Sequence, residues 1–161
     1  MPDLVISDTS PLFYLHRLRR LDLLQKLYQR ITVPQAVADE LKAGGDQGED
    51  VPNIREYEWL KVRSVRVPEV ITLITDLGAG EGQVLALAIE EPGSLVILDD
   101  SLARQIARLR SLRITGTAGV LLKAKHEGHI LAVAPLLDRL MQLDFRLSDA
   151  VKAKILWLAR E

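Results

Sequence analysis

The chain has 161 residues, 48% of them hydrophobic and 27% charged, with a formal net charge of −1. That length suits one domain with a sizeable core, and the near-zero charge excludes the global basic field that draws proteins to nucleic acid. Cysteine is absent and aromatic residues are only 4%, so disulfides and thiolate metal sites are excluded and the core must be built from Leu, Ile, Val and Ala.

The start, Met1-Pro2-Asp3-Leu4, lacks the basic and apolar run of a signal peptide, which predicts a cytoplasmic protein. Val5-Ile6-Ser7-Asp8-Thr9-Ser10-Pro11-Leu12 follows. An apolar β-branched run that ends in an acid, two hydroxyls and a proline is the form of a buried strand delivering a carboxylate to the top of a sheet. Pro11 fits the first turn of a helix, and Leu12, Leu15 and Leu18, then Leu21, Leu24 and Leu27, recur at helical spacing. Arg17, Arg19 and Arg20 interrupt that rhythm and predict a bend between two short helices.

Ile31-Thr32-Val33 reads as a brief strand, after which Pro34 opens a helix with Val37 and Leu41 on its apolar face. Ala43 to Asn53, rich in Gly and acid, is expected to be a surface loop. Trp59 to Val65 alternates like an edge strand, and Val67 to Leu77 is read as a short helix. The glycine-rich turn Gly78-Ala79-Gly80-Glu81-Gly82 leads into a strong helix former, Gln83 to Glu90, stopped by Pro92-Gly93. A second acid-tipped strand, Ser94 to Asp100, precedes a helix from Ser101 to Leu112. Arg113-Ile114-Thr115 is a short strand, followed by a helix from Gly116-Thr117 to near Gly128. Helices over Val133 to Leu143 and Ser148 to Ala159 complete the pattern. The longest apolar stretch, Ile130 to Leu137, is far short of the ~20 residues of a membrane span. Alternating strands and helices predict a single α/β domain over residues 1–161, a three-layer α/β/α sandwich with a central parallel sheet.

Four places carry a carboxylate in a setting that suggests chemistry: Asp8, Glu40, Glu81 and the pair Asp99/Asp100. Each also has a plain structural explanation. Asp8 could cap the next helix, Glu40 could be a solvated helix residue, and Glu81 could complement a helix dipole. Adjacent residues cannot both point into one site, so one of Asp99 and Asp100 is structural. Crowded carboxylates raise one another's pKa unless a cation joins them, and a hard divalent metal with oxygen ligands resolves the crowding. His16, His126 and His129 lack zinc spacing, and no glycine-rich stretch carries the Lys-Ser/Thr of a phosphate-cradling loop.

Ile6 to Leu12, the helix from Pro34 to Leu41, Gly80 to Ala88, Leu98 to Arg104 and Gly116 to Gly128 together resemble the PIN-domain superfamily. The match is to a PIN-like branch that carries the label of a domain of unknown function. The resemblance implies a metal-dependent nuclease, often a ribonuclease and in prokaryotes often the toxin of a toxin–antitoxin pair. It implies that Asp8, Glu40, Glu81 and Asp100, with Asp99 as the rival to Asp100, hold Mg2+ or Mn2+. Thr9 or Ser10 would hold the first aspartate or a metal-bound water. Two positions depart from the pattern: Leu102 stands where many PIN nucleases have a further acid, and Gln83 where this branch often has a glutamate.

On this reading RNA is the substrate, Arg104 and Arg108 guide its backbone with Arg17, Arg19 and Arg20 as further candidates, and a cognate antitoxin and a homodimer are the expected partners. Two rivals are an aspartate-based phosphatase or phosphotransfer domain and a non-catalytic PIN-like binding module. The first is weakened by Ser10, which stands where such phosphatases carry a second aspartate.

Overall fold

The computed structural model describes residues 2–74 and 76–161. The apolar run before Asp8 forms β1 (Val5–Ser7), and all three of its residues are buried. Successive strand side chains point to opposite faces, so both faces of this strand are covered. With β2 (Ile31–Pro34), β3 (Leu60–Arg63), β4 (Leu95–Ile97) and β5 (Arg113–Thr115) it forms a parallel sheet in the order β3-β2-β1-β4-β5. Ser7 lies beside Ile97 and Ile6 beside Thr32. The chain thus builds outward from β1 in one direction and returns on its other side with β4. The strand order reverses between β1 and β4, and their carboxyl ends, carrying Asp8 and Asp99, open a crevice of the kind where α/β sheets bind ligands.

The helices are α1 (Thr9–Arg17), α2 (Asp22–Tyr28), α3 (Gln35–Asp46), α4 (Glu69–Thr72), α5 (Ala79–Glu90), α6 (Ser101–Leu109), α7 (Thr117–His126), α8 (Ala134–Gln142) and α9 (Asp149–Leu158). They cover the sheet to give the α/β/α sandwich that the strand–helix alternation predicts. The core is aliphatic, with Ile6, Leu12, Leu15, Leu85, Ile97, Leu98 and Leu121 fully enclosed. The predicted bend after α1 is real: Arg19 takes a left-handed φ of 59°. Arg19 and His16 bind the Asp50 carboxylate, at 3.2 and 2.9 Å, and the Arg17 Nε donates to the Asp50 carbonyl. The basic run therefore pins the bend to the loop after α3.

Two boundaries differ from the sequence reading. Pro34 ends β2 and precedes α3 instead of opening it: its backbone is extended, with φ −59° and ψ 151°, and the helix begins at Gln35. The segment from Ala43, expected to be loop, stays helical to Asp46 through Gly44-Gly45. Glycine is tolerated there because the chain folds back: Glu49 donates its amide to the Gly44 carbonyl, and a side chain on residue 44 would meet the Glu49 carboxylate at 2.8 Å. The stretch Val67 to Leu77 contains one short helix, α4, while Thr75 lies outside the described residues.

Two helix starts are capped from a distance. Pro34 cannot cap α3, and the Gln83 side chain of α5 accepts the Ala36 amide at 2.8 Å instead. Gln83, read from the sequence as a missing acid, is thus the bond that joins α5 to α3. At the other end, the Glu161 carboxylate accepts the Val133 and Ala134 amides at the start of α8 and pairs with Lys125. The Lys125 hydrogen bond first, then those amides, hold the Glu161 pKa down to about 2 from its ordinary 4.5. The folded value lies below the unfolded one, so this stabilisation is complete above about pH 4.5 and disappears as pH falls towards 2. Glu161→Ala is expected to lower Tm by a few degrees at pH 7 and to converge with the wild type near pH 2. Thermal melts at a series of pH values check this, and an equal gap at every pH would refute it.

Candidate metal centre

Asp8 follows β1 and occupies the cap position of α1, yet its side chain makes no capping hydrogen bond. The plain explanation for an acid at this place therefore fails. Only 2% of Asp8 is exposed, and its Oδ1 has no hydrogen-bond partner. A buried carboxylate oxygen without a partner is costly. Burial, first, and then the Glu81, Glu40 and Asp99 charges push its pKa up to about 8, with only the Thr9 amide pulling it down.

Glu40, on α3, is reached from two other elements. The Thr9 hydroxyl donates to its Oε2 at 2.5 Å and the Gly80 amide to its Oε1 at 3.1 Å. A Cβ on Gly80 would stand 2.8 Å from Glu40 Oε1 and 3.3 Å from Asp8 Oδ1, so glycine is what lets α5 approach both acids. Glu81, in the first turn of α5, curls back into the space that a side chain on Gly78 would need. Burial raises its pKa, and the Glu40 and Asp100 charges raise it further against a hydrogen bond from its own amide.

The adjacent aspartates divide their roles. Asp99 turns towards α1 and α7: its Oδ2 accepts the Ser10 hydroxyl at 3.1 Å and the Thr117 hydroxyl at 2.6 Å, and its Oδ1 accepts the Thr117 amide at 2.8 Å. Asp100 is exposed and caps α6, accepting the Ala103 amide at 2.9 Å. The structure thus brings Asp8, Glu40, Glu81 and Asp99 towards one crevice and gives Asp100 to the helix cap. Thr9 and Ser10, expected to hold Asp8 or a metal-bound water, donate their hydroxyls to Glu40 and Asp99, because Asp8 points inward while the next two residues already belong to α1. Thr117, missed in the sequence, is the main partner of Asp99; the legible signal was a Gly-Thr start to the helix after the fifth strand.

Arg104, read from the sequence as a guide for the RNA backbone, also makes a contact within the fold. Its Nη1 donates to the Leu98 carbonyl at 2.7 Å, and burial, then the Arg108 charge, lower its pKa while Asp99 opposes. It braces the end of β4, whereas Arg108, one turn on, is exposed. Leu102 is partly buried on the first turn of α6.

Among the described residues, no three His, Asp or Glu side chains are already gathered as a metal-holding set. Glu40 accepts two internal hydrogen bonds and Asp99 three, which leaves each carboxylate a lone pair for an ion, whereas Glu81 is folded back and must turn to reach one. The donors nevertheless suit a hard cation. They are all carboxylate oxygens, one of them buried without a partner: Asp8 and Asp99 at the carboxyl ends of adjacent strands, Glu40 and Glu81 from α3 and α5. No helix among the described residues is long and apolar enough to cross a membrane. No curated protein and no solved structure matches the chain. A protein-family model described as a PIN domain matches residues 4–161. With nearly the whole chain covered by that match and the parallel sheet in place, the chain belongs to the PIN-domain family.

Proposed function

We propose that the protein is a divalent-metal-dependent nuclease that hydrolyses RNA phosphodiester bonds. PIN domains are generally nucleases that use divalent metals, and the partnerless Asp8 carboxylate among three further acids is the observation that carries the reading here. Asp8 and Asp99 would hold Mg2+ or Mn2+ from the two strand ends, with Glu40 and Glu81 completing the set from α3 and α5. The ion would supply an activated water and neutralise charge that develops on the phosphate. Ser10 and Thr117 fix the Asp99 carboxylate, and Thr9 and the Gly80 amide fix Glu40, so the acids are oriented before substrate arrives. Arg108, exposed one helical turn beyond Arg104 on α6, would guide the RNA backbone. Asp8 would hold a metal in this scheme and not attack phosphorus, since its carboxylate is only 2% exposed and Ser10 stands where aspartate-based phosphatases carry a second acid.

A toxin role, a cognate antitoxin as protein partner and a homodimer belong to the same proposal, and family membership alone supports them. Incubating a mixed RNA pool with the protein in Mn2+, Mg2+ or EDTA tests the central claim. Cleavage is expected with either metal, and none in EDTA or with Asp8→Asn. Equal cleavage by wild type and Asp8→Asn would overturn it.

A further inference from the structure

The chain has only two phenylalanines, and both lie in one cluster that begins a helical turn from Ser10 and Asp99. Phe13 packs edge-to-face on Tyr14, with centroids 5.0 Å apart, and Tyr14 packs edge-to-face on Phe145 at the same distance. Leu12 and Leu15 turn the inner face of α1 into the core, which leaves Ser10, Phe13, Tyr14 and Arg17 as its outer stripe. All four are partly exposed, and Phe13 stands outside the hydrophobic core cluster. The Asp50 carbonyl holds Nε of Arg17, which fixes the guanidinium 3.9 Å above the Phe13 ring. Arg146 is exposed next to Phe145, and among the described residues it makes no ion pair. Both guanidinium groups lie close enough to Tyr14 to favour its ionised form, against burial and the charges of Asp99 and Asp144.

We propose that Phe13, Tyr14 and Phe145, with Arg17 and Arg146, form a base-stacking platform that holds an unpaired RNA segment against the acidic crevice. The inference deepens the nuclease reading and rests on it. Three features point to RNA bases as the occupant. Phe13, which the core does not need, offers a face on which any base can stack, Tyr14 and Phe145 extend that surface from the edge of the core, and a pre-oriented guanidinium adds a planar cation. Two arginines flank the rings where phosphates would pass, which compensates locally for a chain with no global basic field. The stripe is continuous with the crevice through Ser10, so a strand stacked on it delivers its next phosphate to Asp8 and Asp99. A duplex has its bases inside the stack and offers no such faces.

Fluorescence anisotropy of labelled RNA in EDTA tests the platform without cleavage. The probes are an oligoadenylate decamer and a hairpin closed by a non-nucleotide linker, so that every base is paired. Phe13→Ala is expected to weaken decamer binding by about 5-fold or more, with Phe13→Trp close to wild type and hairpin binding unchanged by either. Because Phe13 lies off the core, Phe13→Trp should keep the wild-type thermal melt and Phe13→Ala should lose only the few degrees that its contacts with Tyr14 and Arg17 supply. Equal decamer affinity for Phe13→Ala and wild type, or equal losses on decamer and hairpin, would overturn the platform and leave the stripe to a protein partner. The nuclease reading fails separately. Phe13-dependent binding without metal-dependent cleavage sinks that reading and spares the platform, whereas Asp8-dependent cleavage that ignores Phe13 does the reverse.

Discussion

Asp8→Asn is expected to stabilise the metal-free protein while abolishing its metal response. The wild-type residue brings three costs into the fold: a carboxylate exposed by only 2%, an oxygen without a partner, and three acids facing it. Asparagine removes the charge and keeps the shape, and its amide group can donate to the surrounding carboxylates. The gain should be about 1–3 kcal/mol at pH 8, the scale of an unsatisfied buried polar group, or several degrees in Tm. The sign with pH follows from the direction of the shift. The folded pKa of about 8 lies above the unfolded 3.8, so the folded state binds the proton more tightly. The wild type in EDTA should therefore lose stability as pH rises from about 4 to 8, and Asp8→Asn should flatten that slope. Mn2+ should reverse the order: it stabilises whichever folded state it binds, and only the wild type has the buried ligand. Melts at pH 5, 6.5 and 8, with EDTA or Mn2+, decide it. A destabilised asparagine variant at pH 8 in EDTA would show that Asp8 is a structural anchor.

This conflict between stability and function explains which parts of the molecule were legible in the sequence. Elements whose apolar pattern agrees with their local propensity were read directly. Val5–Ser7, Leu95–Ile97 and Arg113–Thr115 are strands, and the leucine rhythm of α1 and α2 breaks at Arg19 as expected. Pattern does not decide a boundary that tertiary contacts override. Gly44 and Gly45 look like breakers until Glu49 folds back on them, and Gln83 looks like a lost acid until Ala36 is seen to need an acceptor. The site was legible as a set of acids at strand ends and helix starts. Orientation was not, because rotation about two side-chain bonds separates a crevice ligand from a helix cap, and only Ser10, Thr117 and Ala103 reveal which aspartate does which.

That division makes a second prediction. Asp99→Asn should reduce metal-dependent cleavage by roughly 100-fold or more, whereas Asp100→Asn should leave it within a few-fold. Asp99 contributes a carboxylate already oriented by Ser10 and Thr117, and losing its charge removes several kcal/mol of support for a cation and for the developing phosphate charge. Its stability cost is small, because the asparagine oxygen still accepts the Thr117 amide. Asp100 is solvated, its carboxylate accepts the Ala103 amide of α6, and asparagine caps a helix about as well as aspartate. Asp100→Ala separates the roles further: it loses the cap, costs about 1 kcal/mol, and should still cleave RNA below its own Tm. The Asp100 charge does reach Glu81, so a modest change in metal affinity is expected when it is removed. Single-turnover cleavage at saturating Mn2+, with parallel melts, distinguishes the two aspartates. Equal loss in Asp99→Asn and Asp100→Asn would mean that the cap at Asp100 opens when metal binds and that both carboxylates serve the ion.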